Sequence, residues 1–160
     1  MSPETFRSAM ARLAGAVTLV TARHEGADVG MTATAFLPVS AEPPLVLVSV
    51  GRPARMHRVL RATSYWGVSL LARHQRDLAA NFARPSADDD GTRFDGLPLL
   101  RGPHTGVSLV DGALARFECR TYRMVDAGDH ILIVGAVLGV DLASGGEPLL
   151  YFERDYRTLS

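Results

Sequence analysis

The chain of 160 residues carries 17 basic and 17 acidic side chains and 47% hydrophobic residues, which fits one soluble domain able to build its own core. Zero formal net charge argues against a binder dominated by nucleic-acid phosphate contacts, and no apolar run is long enough to span a bilayer. Every basic residue is arginine, which excludes Schiff-base lysine chemistry, a Walker lysine and a kinase lysine, and leaves fork-like anion binding open.

At the start, Ser2-Pro3-Glu4 reads as an N-cap, a first-turn proline and a first-turn acid. Phe6, Met10, Leu13 and Ala14 then share a helical face, and Gly15 is expected to end the helix. These first residues lack a basic region followed by an apolar block, so no signal peptide is expected. The β-branched run at 16–23 predicts a strand, and the turn at Glu25–Asp28 leads into "VGMTATAFLPVSAEPPLVLVSV". That stretch reads as a strand, a break at Pro43-Pro44, and a second strand through Val50. Its front half, Met31 to Ala35, is a row of small side chains where a buried strand normally carries bulky ones. Such a row suits either a close approach of the backbone to something else or an ordinary half-exposed edge.

Pro53 opens a short helix that turns Met56, Val59 and Leu60 inward. A strand follows at 65–71, then a helix at 73–83 with Leu78 and Phe82 on its buried side. Arg84 to His104 reads as a long loop, and long loops are often functional. Asp111-Gly112 between "TGVSLV" and "ALARFECRTYRM" predicts a tight hairpin, with Ala115, Phe117, Cys119 and Thr121 alternating against Arg116, Glu118, Arg120 and Tyr122. A long strand begins at His130 after a turn at Ala127–Asp129, and "PLLYFERDY" closes the set. Strands joined by hairpins with three short helices predict an antiparallel barrel rather than a doubly wound sheet.

The five histidines are not at metal-ligand spacing, and one cysteine, Cys119, allows no internal disulfide and fits a reducing cytoplasm. No metal site is expected. Asp88-Asp89-Asp90 lacks the alternating acids of a calcium loop and reads as a solvated stretch. Arg58 and Arg61 read as a solvated helix face. Arg52 and Arg55, where a strand gives way to a helix, suit an anion held by free backbone N–H groups. Asp129-His130 at a loop mouth suits either a structural pair or a tautomer fixed near a ligand. With no covalent nucleophile motif, these features suit a barrel that borrows its reactivity from a cofactor.

Five blocks, "FRSAMARLAGAVTLVTA", "GMTATAFLPVSAEPPLVLVSV", "WGVSLLARHQRDLAANFA", "AGDHILIVGAV" and "PLLYFERDYRTL", stand in an order and at spacings that resemble the flavin reductase-like family, from Phe6 to Leu159. The resemblance implies one domain over 1–160, mainly β with short helices, folded as an antiparallel Greek-key split β-barrel of the FMN-binding type. It implies a homodimer that uses NADH or NADPH to reduce FMN or FAD for a partner flavin-dependent monooxygenase; the lone cysteine, charge balance and hydropathy add the expectation of a cytoplasmic protein with no nucleic-acid or membrane partner. By the same resemblance, Thr32, Ala33, Thr34 and Ala35 line the isoalloxazine, and Ser49, Val50 and Gly51 follow the ribityl chain. Arg55 and His57 fall at the phosphate segment, Phe82, Ala83 and Arg84 close over the flavin, Tyr156 completes the site, and His130 stands near the nicotinamide as the catalytic residue. The alternatives are a non-enzymatic FMN carrier or sensor on the same barrel, or a reductase of another small acceptor.

Overall fold

The computed structural model describes residues 1–85 and 92–160, so the aspartate triplet Asp88–Asp90 lies outside the described residues. Helix α1 spans Pro3–Met10, and the Ser2 side chain accepts a hydrogen bond from the Thr5 amide at 3.1 Å, as the N-cap reading expects. It ends at Met10 rather than running to Gly15, which instead opens the two-residue strand β1 (Gly15–Ala16). No residue of α1 is buried. Next come β2 (Thr18–His24) and β3 (Ala27–Ala33), joined through Glu25 and Gly26, both at positive φ.

The small-residue stretch is not one strand. β3 stops at Ala33, the chain turns at Thr34-Ala35, and β4 (Phe36–Ala41) begins; the prolines then separate β4 from β5 (Pro44–Gly51). α2 (Arg55–Ala62) starts two residues after Pro53, with Ala54 as an N-cap that offers no side-chain acceptor. Met56, Val59 and Leu60 are buried, as their spacing predicts. β6 (Tyr65–Leu70) leads to a 3₁₀ turn at Arg73–Gln75 and α3 (Arg76–Ala83), which buries Phe82 and Ala79 and half-buries Leu78.

Two expectations are corrected in the next stretch. The segment read as a loop from Arg84 to His104 contains a 3₁₀ turn at Thr92–Phe94 and the strand β7 (Leu99–Arg101). β8 (Ser108–Val110) pairs with β7, not with β9 (Ala115–Ala127). Asp111-Gly112 does turn the chain, with Gly112 at φ 82°, but the turn carries it from a small satellite sheet into the main one. The satellite covers part of the main sheet, and Arg116 and Glu118 are therefore buried although they alternate with the apolar side chains. Arg116 is held by Asp141 and by the Val110 carbonyl; Glu118 Oε1 accepts the amides of His104 and Thr105 and the Thr105 hydroxyl at 2.8 to 3.0 Å. Buried charge demands such partners.

β9 and β10 (His130–Leu142) form a long hairpin across the turn at Gly128-Asp129. The hairpin of β11 (Leu150–Phe152) and β12 (Asp155–Arg157) adds to β1 as a three-stranded sheet. The main sheet runs β3-β2-β6-β9-β10-β5-β4, antiparallel throughout. It is an open ladder with β3 and β4 as its edges, and those edges are consecutive in the chain. Val20, Val29, Val48, Trp66 and Ile133 belong to one core under this sheet, and α2 packs on it through Met56, Val59 and Leu60. This is the split barrel: the cut falls where Thr34-Ala35 joins one edge to the other.

Candidate functional site

At the cut, the corner runs beside β5. The Ala35 carbonyl accepts the Ser49 amide at 3.1 Å, and Phe36 pairs with Val48. Thr34 and Ala35 are exposed, whereas Ala33 and Val50 are buried in the core; Ser49 is half-buried. The small residues therefore divide into a supporting pair inside the barrel and an accessible pair on its rim. β5 ends at Gly51, and beyond Arg52 the residues Pro53, Ala54, Arg55 and Met56 line a cleft of about 470 Å³. That volume lies within the usual range for small-molecule sites.

The cleft is walled by β3 from Asp28 to Thr32, by the start of α2, by the end of α3 at Phe82–Pro85, and by Arg93 and Phe94. Its floor follows from one glycine. A Cβ on Gly30 would lie 2.8 Å from Phe94 and 3.0 Å from Phe82, so only glycine lets that aromatic pair, with centroids 4.9 Å apart, seat on the strand. The Thr32 hydroxyl donates to the Ala79 carbonyl at 2.6 Å and so ties β3 to α3; the hydroxyl serves the wall rather than a ligand. Asp28, largely buried, is engaged on both oxygens by Arg101 at 2.9 and 3.3 Å, and Arg23 reaches it at 3.3 Å. The hydrogen bond to Asp28 raises the pKa of Arg101 above its ordinary value. The first turn of α2 has neither an acidic residue nor a side-chain cap, so its orphan amides suit an anion.

Of the residues expected at the site, Thr32, Arg55, Phe82, Ala83 and Arg84 line the cleft. Gly51 precedes the lining residue Pro53 by two positions and pairs with His130 across the β5–β10 ladder. His130 Nδ1 lies 2.7 Å from Asp129 Oδ1, while the Asp129 carbonyl accepts the Arg52 amide at 3.0 Å, fixing the Gly-Asp-His turn to the Gly51 turn. Asp129 is fully exposed, and its carboxyl is nonetheless held below the usual range, chiefly by the hydrogen bond from His130 and then by the imidazole charge.

The structure does not bring every expected residue to the cleft: Ala33, Thr34, Ala35, Ser49, Val50, Gly51, His57, His130 and Tyr156 stand outside its lining. His57 lies on α2 outside the lining; its Nε2 is shut off from solvent and has no hydrogen-bond partner among the described residues. Tyr156 packs with Tyr151 at 5.3 Å between ring centroids and lies 5.6 Å below Arg76, away from the cleft wall. Burial raises its phenol pKa, Tyr151 adds to the rise, and Arg76 opposes it. Conversely, Arg93, Phe94 and Asp28 are lining residues that the sequence reading passed over. Among the described residues, no group of His, Cys, Asp and Glu is placed to hold a metal ion.

A family model described as "Flavin reductase like domain" matches residues 10–160. The reductase component of a 4-hydroxyphenylacetate 3-monooxygenase from Thermus thermophilus is 40% identical, over 98% of this chain and 96% of its own length. An NADH-dependent flavin reductase from a Rhodococcus species is 38% identical over 99% of this chain and 88% of its own. Among solved structures, the flavin reductase component of a bacterial two-component tryptophan halogenase superposes with a TM-score of 0.93 at 37% identity, covering 99% of this chain and 98% of that one. A Streptomyces globisporus NADH:FAD oxidoreductase, crystallised with NAD and FAD fragments, gives 0.92 at 32% identity, covering 100% and 96%.

Proposed function

The chain belongs to the flavin reductase-like family, and from that premise we propose that it is an NAD(P)H-dependent flavin reductase that supplies reduced FMN or FAD to a partner monooxygenase. The observation that carries this reading is an arginine-lined cleft walled by β3, the start of α2 and the end of α3, with the small-residue corner at Thr34-Ala35 following directly on β3. A flat ring suits the rim, where short side chains keep nothing between it and the backbone. A phosphate suits the far end, where the uncapped first turn of α2 and Arg55 meet. When bound, the flavin supplies a ring that accepts a hydride from the nicotinamide.

The protein's part is placement. Thr32 through Ala35 and Ser49 through Gly51 hold the ring's polar edge with backbone groups, and Ala33 and Val50 anchor that wall in the core. Phe82 and Ala83 close the outer side. His130, oriented by Asp129, meets the nicotinamide over Gly51 and positions it. Positioning of this kind supplies up to roughly 7–11 kcal/mol without any side-chain nucleophile, which accounts for the lack of one. His57 on α2 and Tyr156 on β12 lie outside the cleft lining.

The protein is a homodimer in this reading. Leu37 and Val39 on β4, Tyr122 and Val125 on β9, and Leu138 and Val140 on β10 are large apolar side chains left exposed, and α1 has no buried face of its own. A second copy is what such surfaces suit. The chain forms one domain; no helix among the described residues is long and apolar enough to cross a membrane, and one buried cysteine accords with a reducing cytoplasm. The test is direct: purified protein is mixed with NADH or NADPH and FMN or FAD while nicotinamide absorbance is followed. Flavin-dependent oxidation is expected with at least one pairing, and its absence in all four refutes the reading.

A further inference from the structure

We propose that Arg101, which lies outside the cleft lining, sets the cleft's preference for anionic ligands by masking the carboxylate of Asp28 in its wall. The proposal rests on the reading that the cleft holds a flavin phosphate, and names a residue that makes it fit to do so.

Asp28 is the only acidic residue among the described residues that line the cleft. It opens the row Asp28, Gly30 and Thr32, alternate residues that β3 places on one face. That face meets, in turn, Arg101, the Phe82–Phe94 pair and the Ala79 carbonyl. The Asp28 side chain is only 16% exposed. Water therefore screens its charge little, and the charge bears on whatever enters beside it. Unmasked, this carboxylate would oppose a phosphate held at the start of α2, which lines the same cleft.

Two arginines mask it, unequally. Arg23 stands opposite Asp28 in the β2–β3 ladder and reaches Oδ1 alone, at 3.3 Å, while its Nη2 donates to the Gly26 carbonyl at 3.0 Å. Arg101 takes both carboxylate oxygens, at 2.9 and 3.3 Å, as a fork. It comes from β7, 73 residues along the chain, and its Nη1 also donates to the Gly106 carbonyl at 3.0 Å. The fork is thus held within the β7–β8 hairpin before it meets Asp28, so little side-chain freedom is lost in the pairing. A tie between β7 and β3 alone would not require ions, since packed apolar side chains serve as well or better. What the pair adds is a wall that presents no net negative charge to an anion.

The test measures equilibrium binding of FMN and riboflavin, which share a ring and differ by the phosphate, and of inorganic phosphate. The proteins are the full-length wild type, Arg101→Gln, Asp28→Asn and the double variant, with thermal unfolding alongside. Arg101→Gln is expected to weaken FMN and phosphate about fivefold at low salt, to leave riboflavin within about twofold, and to lose most of the difference at high salt. Asp28→Asn removes the charge and frees Arg101, so it is expected to tighten FMN and phosphate. The double variant is expected to bind FMN as the wild type does, although the tie between β7 and β3 stays broken and the unfolding midpoint stays low. Equal weakening of FMN and riboflavin in Arg101→Gln, no recovery in the double variant, or unchanged FMN and phosphate binding throughout overturns the proposal. Should Arg101→Gln not fold, Asp28→Asn decides: tighter FMN with unchanged riboflavin supports the masking, and unchanged or weaker FMN overturns it. If the wild type binds neither flavin, the flavin reading falls and inorganic phosphate decides alone. Weakening in Arg101→Gln with recovery in the double variant then keeps the masking, and any other pattern overturns it.

Discussion

Gly51 and His130 stand opposite each other in the β5–β10 ladder, and a Cβ on Gly51 would lie 3.6 Å from the imidazole Nε2. The other ring nitrogen is 2.7 Å from Asp129 Oδ1, so the imidazole is oriented from one side while its far edge faces the Gly51 backbone. A bare backbone beneath the oriented ring lets the imidazole lie close over the strand and leaves its outer face for a second planar group. From this relationship, His130→Ala should raise the KM for NADH or NADPH about tenfold, the order of one lost hydrogen bond, while flavin affinity in a fluorescence titration stays put. Unchanged nicotinamide kinetics would remove His130 from the site.

The same pair sets a pH expectation. The folded-state pKa of Asp129 is depressed, so the stabilisation from its link to His130 is present above the unfolded carboxylate value and is lost as pH falls through the lower folded value. An NMR titration of the Asp129 carboxyl should give a midpoint below about 3.9, the ordinary value, and His130→Ala should bring it back. An ordinary midpoint in the wild type would mean that the pair does not form in solution.

Thr34 is exposed at the rim, so a large side chain there obstructs a ligand without entering the core. Thr34→Trp should weaken flavin binding at least a hundredfold, with the urea midpoint shifted little. Wild-type flavin affinity in this variant would place the ring elsewhere.

Gly30 makes the opposite forecast, since its neighbours are two packed rings. Gly30→Val must displace Phe94 and Phe82, and overpacking of this kind costs about 1–3 kcal/mol. Denaturant unfolding should show that loss, and the distorted cleft floor should weaken flavin binding as well. A neutral substitution would mean that the aromatic pair is not seated on β3.

Cys119 is completely buried, and burial, helped by the Glu118 charge, pushes its thiol pKa up to about 12. The folded protein should therefore resist a thiol reagent at pH 8, since the thiolate is the reacting form. The thiol should react stoichiometrically after unfolding in guanidinium. Rapid labelling of the native protein would contradict this placement.

Strand and helix identity was mostly legible because periodicity and β-branching agree locally, as in α2, where the spacing of Met56, Val59 and Leu60 alone names the buried face. Pairing was less so. Asp111-Gly112 has the chemistry of a hairpin turn, but partner choice is decided by what covers the sheet, and β8 went to β7. The corner at Thr34-Ala35 carries no glycine or proline to mark it, so one strand was read where two exist. Arg93 and Phe94 were invisible as site residues because their place depends on contacts with Asn81, Phe82 and Gly30 from distant parts of the chain. Conversely, the small residues from Met31 to Ala35 do mark the place where one edge of the sheet gives way to the other, although bulk alone does not locate the corner.

The edge strands β3 and β4 are neighbours in sequence but have no ladder between them. The circumference of the barrel is therefore closed by a covalent stitch of two residues rather than by paired strands. Residues added or removed between Ala33 and Phe36 would alter this link alone, because the register of each edge strand is held by its own ladder partner on the other side.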